Sequence, residues 1–327
     1  MSNSKAREPK VHILMASFQG ERFIKEQLES IKGQSYTNWI LHISDDGSTD
    51  KTLDMVKEFV GFHGLVGQVN LHRGPQKGAT QNFLYLVALM RSFVEKENKD
   101  ALFAFCDQDD VWLEDKIQRA VNFHLKERQK TNEALDRPLL YASLRQWVRE
   151  DLHTIAQPKC VVKGLSFKNA IVQNSLSGNT MVWNVALLNI IQKVRPDHAV
   201  WHDWTAYQLA TGCGGRAYLD ATMTLKYRQH GHNVIGVNQL TALGLIALIK
   251  AIKKGRYKSW MELNLLGLHD VWGDLDTVSK NTCLHLERIR SQANPIHRLY
   301  LAWVSGLRRQ GRVSQISFVL MCMLGCV

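Results

Sequence analysis

Residues 102–112, LFAFCDQDDVW, decide the fold: an apolar run breaks off into three carboxylates, Asp107, Asp109 and Asp110, within four positions. Leu102, Phe103, Ala104, Phe105 and Cys106 make a continuous apolar run of strand length, which suits a strand covered on both faces. The carboxylates then fall at its C-terminal end, the edge of an open α/β sheet where ligands bind. Crowded like charges repel, and a hard divalent cation bridging carboxylate and phosphate oxygens relieves the repulsion. The alternative is an acidic turn capping a helix expected from about Val111, and Asp110 is assigned to that cap.

Upstream, VHILMA (11–16) reads as a strand, and Phe18, Gln19 and Gly20 turn it into a helix carrying Phe23, Ile24, Leu28 and Ile31. WILHIS (39–44) is a second strand and ends in DDGSTDKT, so that Asp45 and Asp46 form a second acidic cluster at a strand terminus. QVNLH (68–72) is a third strand, followed by a Gly-containing turn and a helix from about Thr80 to Glu95. This alternation predicts an α/β fold, Rossmann-like, with a mostly parallel central sheet and helices on both faces. Neither GxGxxG nor GxxxxGK[ST] occurs, which argues against a dinucleotide dehydrogenase and a P-loop NTPase.

Downstream, residues 113–130 read as a charged amphipathic helix and 139–149 as a strand. SLSGNTMVWNVALL (175–188) sets Gly178, Asn179 and Thr180 before an apolar run. WHDWTAYQLA (201–210) sets His202 and Asp203 between Trp201 and Trp204 at a helix start, and a strand is expected near 216–220. Tyr227, Arg228, Gln229, His230 and His232 then gather around Gly231. From 240 the chain reads helical, with Lys250, Lys253, Lys254, Arg256 and Lys258 beside apolar residues. That pattern fits either a helix on an anionic membrane surface or a helix packed on the core. ISFVLMCMLGCV (316–327) is too short to span a bilayer and fits an interface or a groove. The division expected is a polar lead (1–10), a domain at 11–239 with a nucleotide-binding half to 112 and a second half at 113–239, and a basic helical region at 240–327.

With 327 residues, 45% of them hydrophobic, the chain can bury a sizeable core. Its formal charge of +11 points to an anionic partner, but residues 240–327 hold 12 Lys and Arg against 5 Asp and Glu, a net +7. The excess therefore lies away from the acidic strand ends, and no nucleic-acid module or aromatic stacking platform accompanies it. Nucleic acid is accordingly not an expected partner. The six cysteines form no CxxC pair and read as reduced thiols, and the polar N-terminus lacks a secretory signal's apolar core, so a cytoplasmic location is expected.

Taken together, MASFQGERFIKEQLESIKGQSYTNW, SDDGSTD, FCDQDDVW, GNTMVWN, WHDW and YRQHGHN resemble, in order, the inverting family-2 glycosyltransferases of GT-A fold, particularly bacterial rhamnosyltransferase-like members. The resemblance covers residues 10–236. It implies that Ala16, Ser17 and Phe18 contact a nucleotide and that Asp45 or Asp46 binds its base or ribose. DQD would be the family's DxD motif, with Asp107 facing sugar or ribose and Asp109 coordinating Mg²⁺ or Mn²⁺ on the donor diphosphate. Asp203 would be the catalytic base, with Trp201 and Trp204 stacking on sugar. Arg228 and His230 would approach the diphosphate, either as cationic partners or, for His230, which the sequence does not separate from His232, as a further metal ligand, and Gly178, Asn179 and Thr180 would line the acceptor side. The donor implied is dTDP-L-rhamnose, with a UDP-sugar as the alternative. The acceptor implied is lipid-linked or a polysaccharide, met at the inner face of the cytoplasmic membrane. A catalytically inactive sugar-nucleotide-binding homologue is opposed by the presence of Asp45, Asp107, Asp109 and Asp203.

Overall fold

Strand and helix alternate as the apolar runs dictate, in a computed structural model that describes residues 8–94, 100–130, 135–156, 164–230 and 255–327. Residues 240–254 of the basic stretch expected to be helical from 240 onward, and His232, lie outside the described residues, whereas Arg256 and Lys258 are in a helix. The first half runs β1 (Val11–Ser17), α1 (Ile24–Lys32), β2 (Trp39–Asp45), α2 (Thr52–Phe62), β3 (Val69–Arg73), α3 (Ala79–Val94) and β4 (Leu102–Asp107). There follow β5 (Val111–Trp112), α4 (Lys116–Lys130), β6 (Leu139–Val148), β7 (Thr154–Ala156), α5 (Phe167–Ala170), β8 (Val182–Asn184), α6 (Val185–Ile191), α7 (His202–Gly212) and β9 (Arg216–Arg228). The C-terminal part is helical: α8 (Arg256–Asp270), α9 (Thr277–Ser291), α10 (Pro295–Val304) and α11 (Arg312–Leu324).

The strands form one sheet in the order β3-β2-β1-β4-β8-β6-β9-β5, with β7 on β6. From β3 to β4 all pairings are parallel, as the crossover helices require. Beyond β4 the sheet is mixed: β8 runs antiparallel to β4 and β6, β6 and β9 pair in parallel, and β5 is antiparallel to β9. Two consequences position the site. Because β8 opposes β4, with Ala104 facing Val182, the residues just before β8 lie at the carboxylate end of β4. Because Val111 pairs with Lys226, the end of β9 comes back beside Asp109 and Asp110.

The strand period sorts the core into two layers. Leu102, Ala104 and Cys106 pack with Ile24, Leu28, Val56 and Ile117 on one face, whereas Phe103 and Phe105 pack with Phe83, Trp183 and Trp204 on the other. Phe103 and Phe105 are fully buried, and each such side chain contributes about 1.5–3 kcal/mol through area removed from water. The second layer also takes Tyr257, Met261, Leu286 and Phe318, so the C-terminal helices share one hydrophobic core with the sheet. Phe318, Met321 and Cys322 of α11 are buried there, which docks one face of the apolar terminal segment on the protein.

Asp110 does not cap a helix. The chain continues into β5 and the next helix begins only at Lys116, while the Asp110 side chain is fully buried and accepts from Asn179 Nδ2 at 2.6 Å. The two residues after it are claimed by pairing with β9, which competes successfully with helix initiation.

Candidate active site

The C-terminal ends of β1, β2 and β4 open onto a cleft of about 510 Å³. Its walls include Ala16, Ser17 and Phe18 from the end of β1 and Asp46 from the end of β2. Asp107, Gln108 and Asp109 come from the end of β4, and Gly178, Asn179, Trp201, His202 and Asp203 from the opposite side.

The two acidic residues after β2 separate in role. Asp45 is turned into its own loop, accepting from Ser17 Oγ at 3.2 Å, Gly47 N at 3.1 Å, Ser48 N at 2.8 Å and Ser48 Oγ at 2.6 Å. Asp46 reaches the cleft while accepting from the backbone N–H of Gln76 at 2.6 Å and Gly78 at 2.7 Å, which fixes the turn before α3. A third device locks the loop after β1. The Gln108 amide bonds both backbone groups of Phe18, at 3.0 and 2.8 Å, in the manner of a strand partner. A Cβ at Gly20 would lie 2.2 Å from Gln108 Oε1, so any side chain there would push this amide off Phe18.

Asp107, Asp109 and Asp110 each bring a carboxylate oxygen within 4.8 Å of the others. Burial, with Asp109 and Asp203 adding repulsion and Arg145 relieving part of it, pushes the Asp107 carboxyl up to about 7. Burial pushes Asp110 well above the usual carboxylate range too, and its Oδ1 is buried without a hydrogen-bond partner. Hard oxygens, crowded and under-compensated, fit a divalent cation. His230 Nε2 sits 2.7 Å from Asp109 Oδ2 and its ring stacks on Phe23, so it is placed to orient that carboxylate.

Asp203 stands in the first turn of α7, where it accepts from Trp204 N at 2.7 Å and Gly178 N at 3.1 Å. Its neighbour His202 is wedged between Phe83 and Phe105, and burial lowers its imidazole to about 4, so it packs as a neutral ring. Asp203 thus lines the cleft together with Asp107 and Asp109, and its charge adds to the repulsion that raises the Asp107 carboxyl.

Several other expected residues lie behind the surface. Trp204 is buried and donates to Ala170 O at 2.6 Å, leaving Trp201 as the tryptophan on the cleft. Thr180 is buried and donates to Ser177 O at 2.7 Å. Arg228 is buried, with its guanidinium 4.5 Å from the Phe23 ring centre; it donates to Asp109 O at 3.0 Å, to Glu150 O and to Glu26 Oε2 at 2.5 Å. It therefore buttresses the acidic loop from outside the cleft.

One cation on the cleft wall is not signalled by the motifs: Arg145 of β6. It stacks on Tyr227 at 4.1 Å and donates to Ser177 Oγ at 2.5 Å. Ser177 in turn donates to Asn179 Oδ1 at 2.8 Å, and Asn179 donates to Asp110. Within LLYASLRQWV the alternation marks Arg145 only as a polar strand position, and nothing local says that its neighbour across space is an acidic cluster.

The mixed sheet, its parallel first half and the acidic cleft at its strand ends make an α/β fold of GT-A type. The family model "Glycosyl transferase family 2" matches residues 12–132. The dTDP-rhamnosyl transferase RfbG of Shigella flexneri is 31% identical over 239 residues, 68% of this chain and 74% of that one. The chain belongs to glycosyltransferase family 2 and is a glycosyltransferase. It is also 29% identical over 116 residues, 36% of this chain and 41% of the other, to the Escherichia coli UDP-Glc:alpha-D-GlcNAc-diphosphoundecaprenol beta-1,3-glucosyltransferase WfgD. Its fold is similar to that of Staphylococcus aureus TarS residues 1–349, solved in complex with UDP, with a TM-score of 0.55 at 14% identity over 97% of this chain and 81% of that one.

Proposed function

We propose that the protein transfers L-rhamnose from dTDP-L-rhamnose, with inversion, to a lipid-linked or polysaccharide acceptor during synthesis of a cell-surface polysaccharide. The observation that carries this reading is the placement of Asp203 across one cleft from Asp107 and Asp109. Inversion requires a base on the face of the sugar opposite the leaving group, and a single carboxylate meets that need. Asp203 accepts the proton of the acceptor hydroxyl as it attacks, held in place by the N–H groups of Gly178 and Trp204. Asp46 and the loop at Ser17 and Phe18 take the nucleoside, and Arg145 meets the diphosphate. Asp107 and Asp109, steadied by His230, would hold Mg²⁺ or Mn²⁺, which supplies charge neutralisation of the departing nucleoside diphosphate.

Support for the rhamnosyl donor is the likeness to RfbG, which extends over two thirds of the chain. A UDP-glucose donor is the second reading, favoured by the shorter match to WfgD. The acceptor is met at the inner face of the cytoplasmic membrane. Thermal-shift titration with dTDP-rhamnose, UDP-glucose and UDP-galactose in the presence of Mn²⁺ decides the donor: stabilisation by the UDP-sugars alone would overturn the rhamnosyl assignment. Asp203→Asn is expected to keep donor binding and lose transfer by about 10²–10⁴-fold. Unchanged transfer in this variant would remove Asp203 as the base.

A further inference from the structure

Two packed helices at the C-terminus each expose an apolar stripe. On α10, Ile296 (79% exposed), Leu299, Tyr300 (57%) and Trp303 (80%) follow the i, i+3, i+4, i+7 spacing of one helix face. On α11, Val313, Ile316, Leu320 and Leu324 form a second stripe, on the side away from the buried Phe318, Met321 and Cys322. The helices run as an antiparallel hairpin, with Arg298 Nη1 donating to Met323 O at 3.3 Å and Gln315 Nε2 to Leu307 O at 3.3 Å. Isolated exposed apolar side chains are ordinary, but two adjoining stripes with an exposed Trp and Tyr mark a contact surface.

The charge around the hairpin identifies the partner. From residue 288 to 327 the sequence holds six arginines, Arg288, Arg290, Arg298, Arg308, Arg309 and Arg312, and neither Asp nor Glu. Arg308 and Arg312 are exposed at the turn between the two helices and at the start of α11. Pairing this face with a second copy would bring like charges together, whereas an anionic bilayer takes both the apolar stripes and the arginines. Trp and Tyr suit the headgroup level, with an apolar ring body and a polar edge. Among the described residues no helix is long and apolar enough to cross a membrane, so the contact is interfacial.

We infer that the α10–α11 hairpin is an interfacial membrane anchor that inserts its apolar stripes into an anionic lipid surface. This deepens the lipid-linked reading above and rests on it only for its purpose. The anchor is tied closely to the catalytic wall. Asn169, in α5, donates to Arg308 O at 3.1 Å and accepts from Tyr207 Oη of α7 at 2.9 Å, and α7 begins with the turn that carries Asp203. A bilayer bound at the hairpin therefore holds the acceptor side of the enzyme through one intervening helix.

The full chain should co-float with vesicles of phosphatidylcholine and phosphatidylglycerol at least about tenfold more than with phosphatidylcholine alone. Trp303→Ser with Ile316→Ser and Leu320→Ser should cut co-flotation by about tenfold or more. Arg308→Gln with Arg312→Gln should remove the preference for anionic vesicles. All these positions are exposed, and both variants should keep the wild-type melting temperature and nucleotide-sugar stabilisation. Failure of the wild type to float, or equal flotation of the apolar variant, overturns the inference. So does a concentration-dependent dimer in light scattering that the apolar variant abolishes while vesicle binding is absent. Flotation without any nucleotide-sugar stabilisation would sink the donor reading and leave the anchor standing.

Discussion

Arg145 is the residue whose role depends most on its surroundings. It lines the cleft with Asp107 and Asp109, its guanidinium lies over the Tyr227 ring and it is fixed by Ser177. Such a preorganised fork suits an oxygen-rich anion, and a charge-assisted pair of this kind is worth about 1.5–3 kcal/mol. Arg145→Gln is expected to weaken donor binding by about 10–100-fold, with Arg145→Lys recovering only part because an ammonium cannot keep the stacked, forked geometry. Calorimetric titration of the donor measures both; equal affinities in all three proteins would exclude Arg145 from the donor site. At the acidic cluster, Asp109→Ala should remove the Mn²⁺ dependence of donor stabilisation, read as loss of the difference between melts with and without Mn²⁺. A persistent difference would move the cation elsewhere.

At the scale of elements, the antiparallel entry of β8 does most to build the cleft wall that carries Asp203. It brings the 3₁₀ turn at Gly178–Thr180 against the first turn of α7, so close that a Cβ on Gly178 would lie 2.8 Å from His202 Nε2 and 3.0 Å from the Asp203 Cβ. His202 cannot give way, because Phe83 and Phe105 enclose its ring. Gly178→Ala must therefore displace the start of α7, and a shift of a few tenths of an ångström at the base is expected to lower turnover by about tenfold to a hundredfold. The accompanying loss of stability is about 1–3 kcal/mol, as for other overpacking changes. Steady-state kinetics with a folded variant checks this: a KM effect with unchanged turnover would show that the turn shapes binding and does not position Asp203.

Across the whole molecule, neutral histidines are sealed into the fold. Burial lowers His42 to about 3, His124 to about 4 and His202 to about 4. A histidine whose folded value lies below its unfolded value of about 6.5 costs nothing at higher pH and destabilises progressively as pH falls below that value, because the unfolded chain takes up the proton first. The raised carboxyls of Asp107 and Asp110 act in the opposite sense, so a difference between two proteins isolates one group. His42 is stacked against His12 and His72. Between pH about 6.5 and about 5, His42→Phe should gain about 2 kcal/mol relative to wild type on top of any constant packing cost. Urea unfolding at the two pH values tests it, and a pH-independent difference would mean that His42 protonates in the folded state.

Local features could be read from the chain alone. Apolar runs of strand length, helical periods and acidic residues at strand ends laid out β1 to β4 and singled out Asp107 and Asp109, because these signals lie within a few residues of one another, whereas Asp203 was reached only through the family resemblance of WHDW. Tertiary structure decided what depends on which strands lie side by side. Asp110 left its expected cap because β5 pairs with β9, and Asp45 turned inward while Asp46 reached the cleft, a difference set by which backbone N–H groups each carboxylate meets. Arg228 became a buried buttress and Arg145 the cation of the cleft, since strand periodicity states that a side chain points to one face but not what stands across from it. The terminal apolar segment was legible as amphipathic only once its buried Phe318 and exposed Leu320 were seen on opposite sides of one helix. Contact between residues far apart in the chain carries that information, and composition and spacing do not.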